Sequence, residues 1–181
     1  EVYIYYSGHG VPDLNEEKNY LLPVDTKPAT AHLNGFALST LYHNLNKLNA
    51  KFTTIILDAC FSGSSHSGPV LQQASPALLK VRTNQVKLTS GLVLTATSNG
   101  QIASWDPKAR LGLFTRHLIE GVIGQADSLE YGEKDNRVTS DELRAYLNLH
   151  VSNQARLLFN RQQNPVVESS NNKVMAILVD K

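Results

Sequence analysis

The chain contains 181 residues, a length that suits one domain, because globular domains most often have about 100–150 residues. Its hydrophobic content of 41% supports a packed core and excludes an intrinsically disordered chain, which would be poor in apolar residues. The 17 basic and 16 acidic residues leave a formal net charge of +1, so no overall charge attracts the protein to nucleic acid or to an anionic membrane.

A single cysteine, Cys60, excludes an intrachain disulfide and a zinc site built from several thiolates. The apolar runs are far shorter than the roughly 18 residues that a membrane helix needs, and no signal-peptide pattern is present. We therefore expect a soluble, cytoplasmic protein without a membrane partner. The sequence begins at Glu1 inside a predicted strand and without an initiator methionine, so we expect an artificial or processed N-terminal boundary.

Predicted strands and helices alternate along the chain. Continuous apolar and β-branched runs predict buried strands at 2–6, 51–58, 91–97 and 173–179. Apolar residues at helical spacing predict helices at 36–48, 113–123 and 139–159, and the last helix begins with a capping box at Thr139-Ser140-Asp141-Glu142. This alternation indicates an α/β fold with a mainly parallel sheet flanked by helices.

Residues 62–90 differ from the rest of the chain, because they are rich in Ser, Gly, Pro and Gln. The composition predicts a flexible loop, and loops longer than about 12–15 residues inside a domain are usually functional or disordered. We therefore predict one domain over residues 1–181, interrupted by this loop.

Two chemically reactive side chains follow the first two predicted strands. Ser7-Gly8-His9-Gly10 ends the first strand, and Cys60 follows the second. If these strands are parallel neighbours, His9 and Cys60 emerge side by side, and the imidazole can take or balance the thiol proton. The backbone N–H groups of Gly10 and Cys60 could then stabilise an oxyanion. The pattern alone equally fits an inert, buried Cys60 and a tight turn around His9.

Two motifs resemble those of caspase-like cysteine peptidases, in particular the metacaspases, paracaspases and bacterial orthocaspases. Tyr5-Tyr6-Ser7-Gly8-His9-Gly10 resembles their histidine motif, and Leu57-Asp58-Ala59-Cys60-Phe61-Ser62-Gly63 resembles their cysteine motif. Ala103-Ser104-Trp105-Asp106-Pro107 and Gly112-Leu113-Phe114-Thr115 are similar to the segments that line the substrate cleft in that family. The resemblance implies the caspase-hemoglobinase fold, a six-stranded sheet whose first strands, in such proteins, precede the position of Glu1.

The resemblance also implies a mechanism. Cys60 would be the nucleophile, His9 the general acid or base, and the N–H groups of Gly10 and Cys60 the oxyanion hole. A peptide would bind as a strand and be cleaved through a thioester acyl-enzyme, with no metal or other cofactor needed for the chemistry. The alternative, from another functional class, is a catalytically silent caspase-like module that binds peptides or partners.

Calcium activates many metacaspases, but their aspartate cluster does not map onto this chain. The acidic stretch at 127–142 lacks the alternating ligands and central glycine of an EF-hand loop. We interpret it as a solvated acidic loop with a helix cap and leave calcium activation open.

Two acidic residues stand where caspases carry a glutamine and an arginine: Asp58, two positions before the nucleophile, and Asp106, after the Ser-Trp pair. Ser7 matches a further pocket-lining position of metacaspases. An acidic pocket would pair with a substrate Arg or Lys and repel Asp, so we predict cleavage after Arg or Lys. The alternatives are that Asp58 caps a turn or helix and that Asp106 forms an Asx turn.

The loop at 62–90 carries Lys80, Arg82 and Lys87. Family members are commonly cut in this region, so we predict self-processing at these residues, and a plain solvated loop is the alternative. His66 in the same loop is a rival to His9 as the base, but a Ser/Gly-rich loop positions an imidazole poorly. The expected partners are protein or peptide substrates, the protein's own N-terminal fragment or a regulatory partner.

Overall fold

The computed structural model describes residues 1–13, 18–61, 64–65, 68–69, 88–98 and 100–179. The strands are β1 (Val2–Ser7), β2 (Gly10–Asp13), β3 (Lys18–Leu21), β4 (Phe36–Ala37), β5 (Thr53–Asp58), β6 (Ser64–Ser65), β7 (Gly68–Pro69), β8 (Gly91–Thr95), β9 (Trp105–Asp106), β10 (Leu111–Gly112), β11 (Arg137–Thr139), β12 (Val166–Ser169) and β13 (Val174–Ile177). The α-helices are α1 (Ala31–Asn34), α2 (Leu38–Lys47), α3 (Leu113–Glu120) and α4 (Ser140–Phe159).

The main sheet of the described residues has four strands in the order β1-β5-β8-β12. β5 runs parallel to β1 and β8, and β12 runs antiparallel to β8. The strands predicted at 2–6 and 51–58 are therefore parallel neighbours, and α2 forms the crossover between them. The predicted α/β fold is confirmed, with one antiparallel strand at the edge of the parallel ones.

The two strands nearest the C-terminus differ from the prediction. β12 was not predicted, because it has only four residues and its Val-Val-Glu-Ser sequence lacks a continuous apolar run. One of its residues, Val167, is buried in the core. β13, within the strand predicted at 173–179, pairs with β11 outside the main sheet.

Helices pack on both faces of the sheet. On one face, α3 and α4 enclose a core with β8, in which Leu92, Leu94 and Phe114 have no exposed surface. On the other face, α2 packs against Ile55 and Leu57 of β5, which are also fully buried. Because both faces are covered, β5 and β8 read as continuous apolar runs in the sequence.

α3 is shorter than the helix predicted at 113–123. It ends at Glu120 and continues as one π-helical turn over Gly121–Gln125, in which Gly124 has a positive φ of 128° that favours glycine. Of the helices in the described ranges, none is both long and apolar enough to cross a bilayer.

The capping box at the start of α4 is confirmed. The Thr139 hydroxyl accepts a hydrogen bond from the Glu142 N–H, and the Glu142 carboxylate accepts one from the Thr139 N–H at 2.8 Å. Each side chain therefore satisfies a backbone donor that the first helical turn leaves free.

Substitution Thr139→Ala is expected to lower the free energy of unfolding by about 1 kcal/mol, because it removes the acceptor for the Glu142 N–H. Chemical denaturation at neutral pH measures the loss. Thr139→Ser keeps the hydroxyl and is the matched control. Equal losses in the two variants would contradict a role for the cap.

Candidate active site

The histidine and cysteine motifs lie at the same edge of the main sheet. The parallel register of β1 and β5 pairs Ser7 with Asp58, and the next residue, Gly8, donates its N–H to the Asp58 carbonyl at 3.2 Å. His9 and Cys60 each follow this last register pair by two residues. The tertiary structure therefore places both residues just beyond the ends of two neighbouring parallel strands.

Gly10 lies close to the backbone of the cysteine motif. A Cβ atom on Gly10 would lie 2.8 Å from the Cys60 carbonyl oxygen and would overlap the Phe61 ring. Only glycine fits at this distance without a shift of the neighbouring chain. The backbones of Gly10 and Cys60, the two residues predicted to form an oxyanion hole, are thus in direct proximity.

The backbone of His9 is anchored by β1 and by the residue after β3. Its carbonyl oxygen accepts the Leu22 N–H at 3.0 Å and lies 2.8 Å from the Tyr6 hydroxyl. Burial raises the pKa of Tyr6, so this hydroxyl keeps its proton at neutral pH. His9 itself is exposed, and this leaves its imidazole accessible to a ligand.

Cys60 is only 6% exposed. It lies two residues after the end of β5, where Leu57 and Asp58 are also buried. A thiolate in such surroundings needs a nearby cation or oriented N–H groups, because burial alone disfavours its charged form.

Asp58 is a buried carboxylate at the N-terminus of α3. Its Oδ2 accepts the Thr115 hydroxyl at 2.5 Å, and its carboxylate also accepts the Thr115 N–H. Burial raises the pKa of Asp58, and the two bonds from Thr115 partly oppose that shift. A Cβ atom on Gly112, the residue before α3, would overlap Oδ2. Asp58 thus caps a helix, although this helix begins 55 positions later in the chain.

Asp106 is also buried, and both of its carboxylate oxygens have partners. Oδ1 accepts the N–H groups of Lys108 at 2.9 Å and Ala109 at 3.2 Å, which makes the Asx turn considered from the sequence. Oδ2 pairs with the Arg116 guanidinium at 2.7 Å. The Ala109 N–H and then the Arg116 guanidinium hold the pKa of Asp106 below its usual range.

Of the remaining candidate residues, some lie in the described part of the chain and the others lie outside it. Ser7 is exposed beside Asp58 at the sheet edge, and Trp105 is 41% exposed on β9. The candidates outside the described residues are His66, Lys80, Arg82 and Lys87.

Two side chains with structural roles at the site, Arg116 and Gln163, were not identified from the sequence, and Thr115 was included only as the last residue of the segment Gly112-Leu113-Phe114-Thr115. Thr115 donates its hydroxyl to the Asp58 carboxylate, and Arg116 pairs with the Asp106 carboxylate. Gln163 is fully buried, accepts the Ser104 N–H at 2.8 Å and donates to the Ala96 carbonyl at 3.1 Å, so it ties the segment before β9 to the end of β8. Of these three, only Thr115 had a sequence signal, which was its place in that segment.

The acidic stretch at 127–142 uses its carboxylates to order its own backbone. Asp127 accepts the N–H groups of Asp135 and Asn136, and Glu142 accepts that of Glu133 as well as that of Thr139. Within the described ranges, no three His, Cys, Asp or Glu side chains form a group that could hold a metal ion.

Comparison with known proteins gives one family and one fold. A sequence model of the family described as Caspase domain matches residues 2–176. Caspase-1 from Spodoptera frugiperda has a similar structure, with a TM-score of 0.55 and 12% identity. That alignment covers 97% of this chain and 63% of the caspase, so the chain spans less than two thirds of its length. No curated protein matches the sequence significantly.

Proposed function

The chain belongs to the caspase-domain family of cysteine peptidases, and on that premise we propose that it is an active endopeptidase that cleaves after Arg or Lys. The observation that carries the proposal is the register of β1 and β5, which ends both strands at Ser7 and Asp58 and leads directly into His9 and Cys60. Gly10, in contact with Cys60, supports the same assignment.

In the proposed reaction, the Cys60 thiolate attacks the scissile carbonyl carbon and forms a C–S bond. The N–H groups of Gly10 and Cys60 stabilise the negative charge on the carbonyl oxygen. Protonated His9 donates its proton to the leaving amine as the C–N bond breaks, which leaves a thioester. His9 then takes a proton from water, and the attack of this water releases the carboxylate product and regenerates Cys60. These steps use only protein groups and water, so we propose no cofactor.

The proposed specificity rests on the charge of Asp58. Within the described part of the chain, the Asp58 side chain accepts hydrogen bonds from the hydroxyl and the N–H of Thr115. Both donors are neutral, so neither balances the negative charge of the carboxylate. A buried carboxylate without a cation is costly, and a substrate guanidinium or ammonium group supplies the missing charge. We propose that Ser7 and Asp106 line the same pocket, with Asp58 as the principal ligand of the substrate cation.

A series of fluorogenic peptides that differ at one residue tests the proposal. We expect kcat/KM to be about 100-fold higher or more after Arg or Lys than after Asp, because a like-charge contact costs several kcal/mol. Faster cleavage after Asp than after Arg would overturn the specificity.

A labelling experiment tests the nucleophile separately. An Arg-containing acyloxymethylketone should add one adduct at Cys60, detected by intact-mass and peptide analysis, and His9→Ala should slow the reaction. The Asp-containing analogue of the same reagent is the matched control. Binding of the Arg peptide without labelling or cleavage would support the alternative, a silent peptide-binding module.

Three further proposals come from the sequence. We propose self-processing after Lys80, Arg82 or Lys87, a cytoplasmic location, and association with an N-terminal fragment or a regulatory partner. Intact masses of the wild type and of Cys60→Ala test the first of these. Identical masses without fragments would contradict self-processing.

A further inference from the structure

Two successive residues of α3 bind the two candidate pocket carboxylates. Thr115 donates its hydroxyl to Asp58 at 2.5 Å, and Arg116 pairs with Asp106 at 2.7 Å. Asp106 is the last residue of β9 and pairs with Leu111 of β10, and α3 begins directly after β10. The first turn of one helix therefore contacts both acidic groups.

The two contacts differ in charge. Thr115 is neutral, so Asp58 keeps its negative charge when it is ionised. Arg116 carries a permanent positive charge, so it cancels the charge of Asp106. The Arg116 guanidinium also donates to Glu120 at 2.9 Å, one turn further along α3, and this second carboxylate helps to hold it in place.

Thr115 is itself oriented by neighbouring groups. The hydroxyl has one proton, which it donates to Asp58, so at 3.1 Å from the Tyr5 hydroxyl it is the acceptor. Hydrogen bonds in such a chain polarise one another. Gly112 allows the close approach of the carboxylate, because a side chain at this position would overlap Oδ2 of Asp58.

We infer that Thr115 and Arg116 set the charge preference of the substrate pocket: Thr115 positions Asp58 as the carboxylate that receives the substrate cation, and Arg116 neutralises Asp106. The inference rests on the proposed function, because it assigns positioning residues to the same site. Asp58, Asp106 and Arg116 together carry one net negative charge, which suits one substrate guanidinium or ammonium group. Glu120 also pairs with Arg116, but it lies one turn further along α3 and is not counted among the groups of the proposed pocket.

The inference predicts selectivity by counting charges. The net charge of positions 58, 106 and 116 is −1 in the wild type. It becomes −2 in Arg116→Gln, zero in Asp106→Asn and −1 again in the double variant. The measured quantity is the ratio of affinities for two matched fluorescent peptides that end in Arg or in Asp, determined in a Cys60→Ala background. We expect the ratio to rise about tenfold in Arg116→Gln, to fall about tenfold in Asp106→Asn and to return towards the starting value in the double variant.

Thr115 is tested by an isosteric substitution. Thr115→Val removes the hydroxyl donor, and we expect it to lower the ratio about tenfold. It should also move the loss of Arg-peptide binding to a higher pH, because the Thr115 bonds lower the pKa of Asp58. Thr115→Ser, which keeps the donor, should retain both the ratio and the pH profile.

Several outcomes would overturn the inference. If Thr115→Val lowers the melting temperature but changes neither the ratio nor the pH profile, Thr115 is only part of a helix cap. If the affinity ratio of the double variant stays as low as that of Asp106→Asn, Arg116 does not act by cancelling the charge of Asp106. Equal binding of the two peptides before any pocket substitution also overturns it. The predicted binding pattern without cleavage by the wild type would refute only the proposed peptidase activity.

Discussion

Substitution Cys60→Ala is expected to lower kcat/KM for an Arg peptide by about 10⁴-fold or more, because the variant lacks the group that forms the thioester. His9→Ala should reduce kcat/KM by about 10³-fold, because the thiolate and the leaving amine both lose their proton partner. Initial rates with the peptide series measure both effects.

The matched control for these variants is His43→Ala, since His43 is an exposed histidine on α2. It should keep wild-type activity. Circular dichroism and thermal unfolding should show the same folded state in all three variants. Cleavage by the Cys60→Ala variant at more than a tenth of the wild-type rate would contradict the assignment of the nucleophile.

Substitution Asp58→Asn is expected to lower the preference for Arg over Asp by about 100-fold or more, because it removes the carboxylate that we propose as the partner of the substrate cation. Its effect on stability should be different. Burial raises the pKa of Asp58, so at neutral pH the folded state holds an ionised group that it disfavours. The neutral amide avoids that cost, and we expect the free energy of unfolding at pH 7 to be equal or higher.

The pH dependence of the wild type provides a second measurement for Asp58. Because the pKa is raised in the folded state, Arg-peptide binding should weaken at a higher pH than the value of about 3.9 for an ordinary aspartate would predict. The free energy of unfolding should change in the opposite direction to peptide binding. Protonation of Asp58 makes the folded protein more stable as the pH falls through the pKa of Asp58 in the folded state. An Asp58→Asn variant with unchanged selectivity and lower stability would assign to Asp58 the cap role alone.

The two interpretations of Asp58 considered from the sequence are compatible in this structure. A helix N-terminus supplies N–H groups that stabilise a carboxylate, and here they come from α3. These donors carry no full positive charge, so the carboxylate can cap the helix and attract a substrate cation at the same time. Asp106 differs, because its Asx turn is accompanied by an ion pair with Arg116.

The sequence by itself determined the features whose signals extend over a few residues. Continuous apolar runs predicted β5 and β8 as buried strands, and the four residues from Thr139 to Glu142 predicted the start of α4. β1 was also predicted as a buried strand, but its residues alternate between half-buried and exposed, and Tyr3 and Tyr5 are more than half exposed. His9 and Cys60 were identified because each follows a predicted strand. These patterns are readable because burial, helical spacing and capping depend on neighbouring residues.

Only the tertiary structure decided which distant groups meet. The Thr115 hydroxyl reaches Asp58 across 57 positions, and Gln163 reaches Ala96 across 67, and neither spacing has a periodic signal. β12 pairs with β8 at the edge of the main sheet, although its sequence is short and lacks the continuous apolar run that predicts a strand. Such contacts form because α3 and α4 pack on one face of the sheet, and this packing places the Thr115 hydroxyl against Asp58.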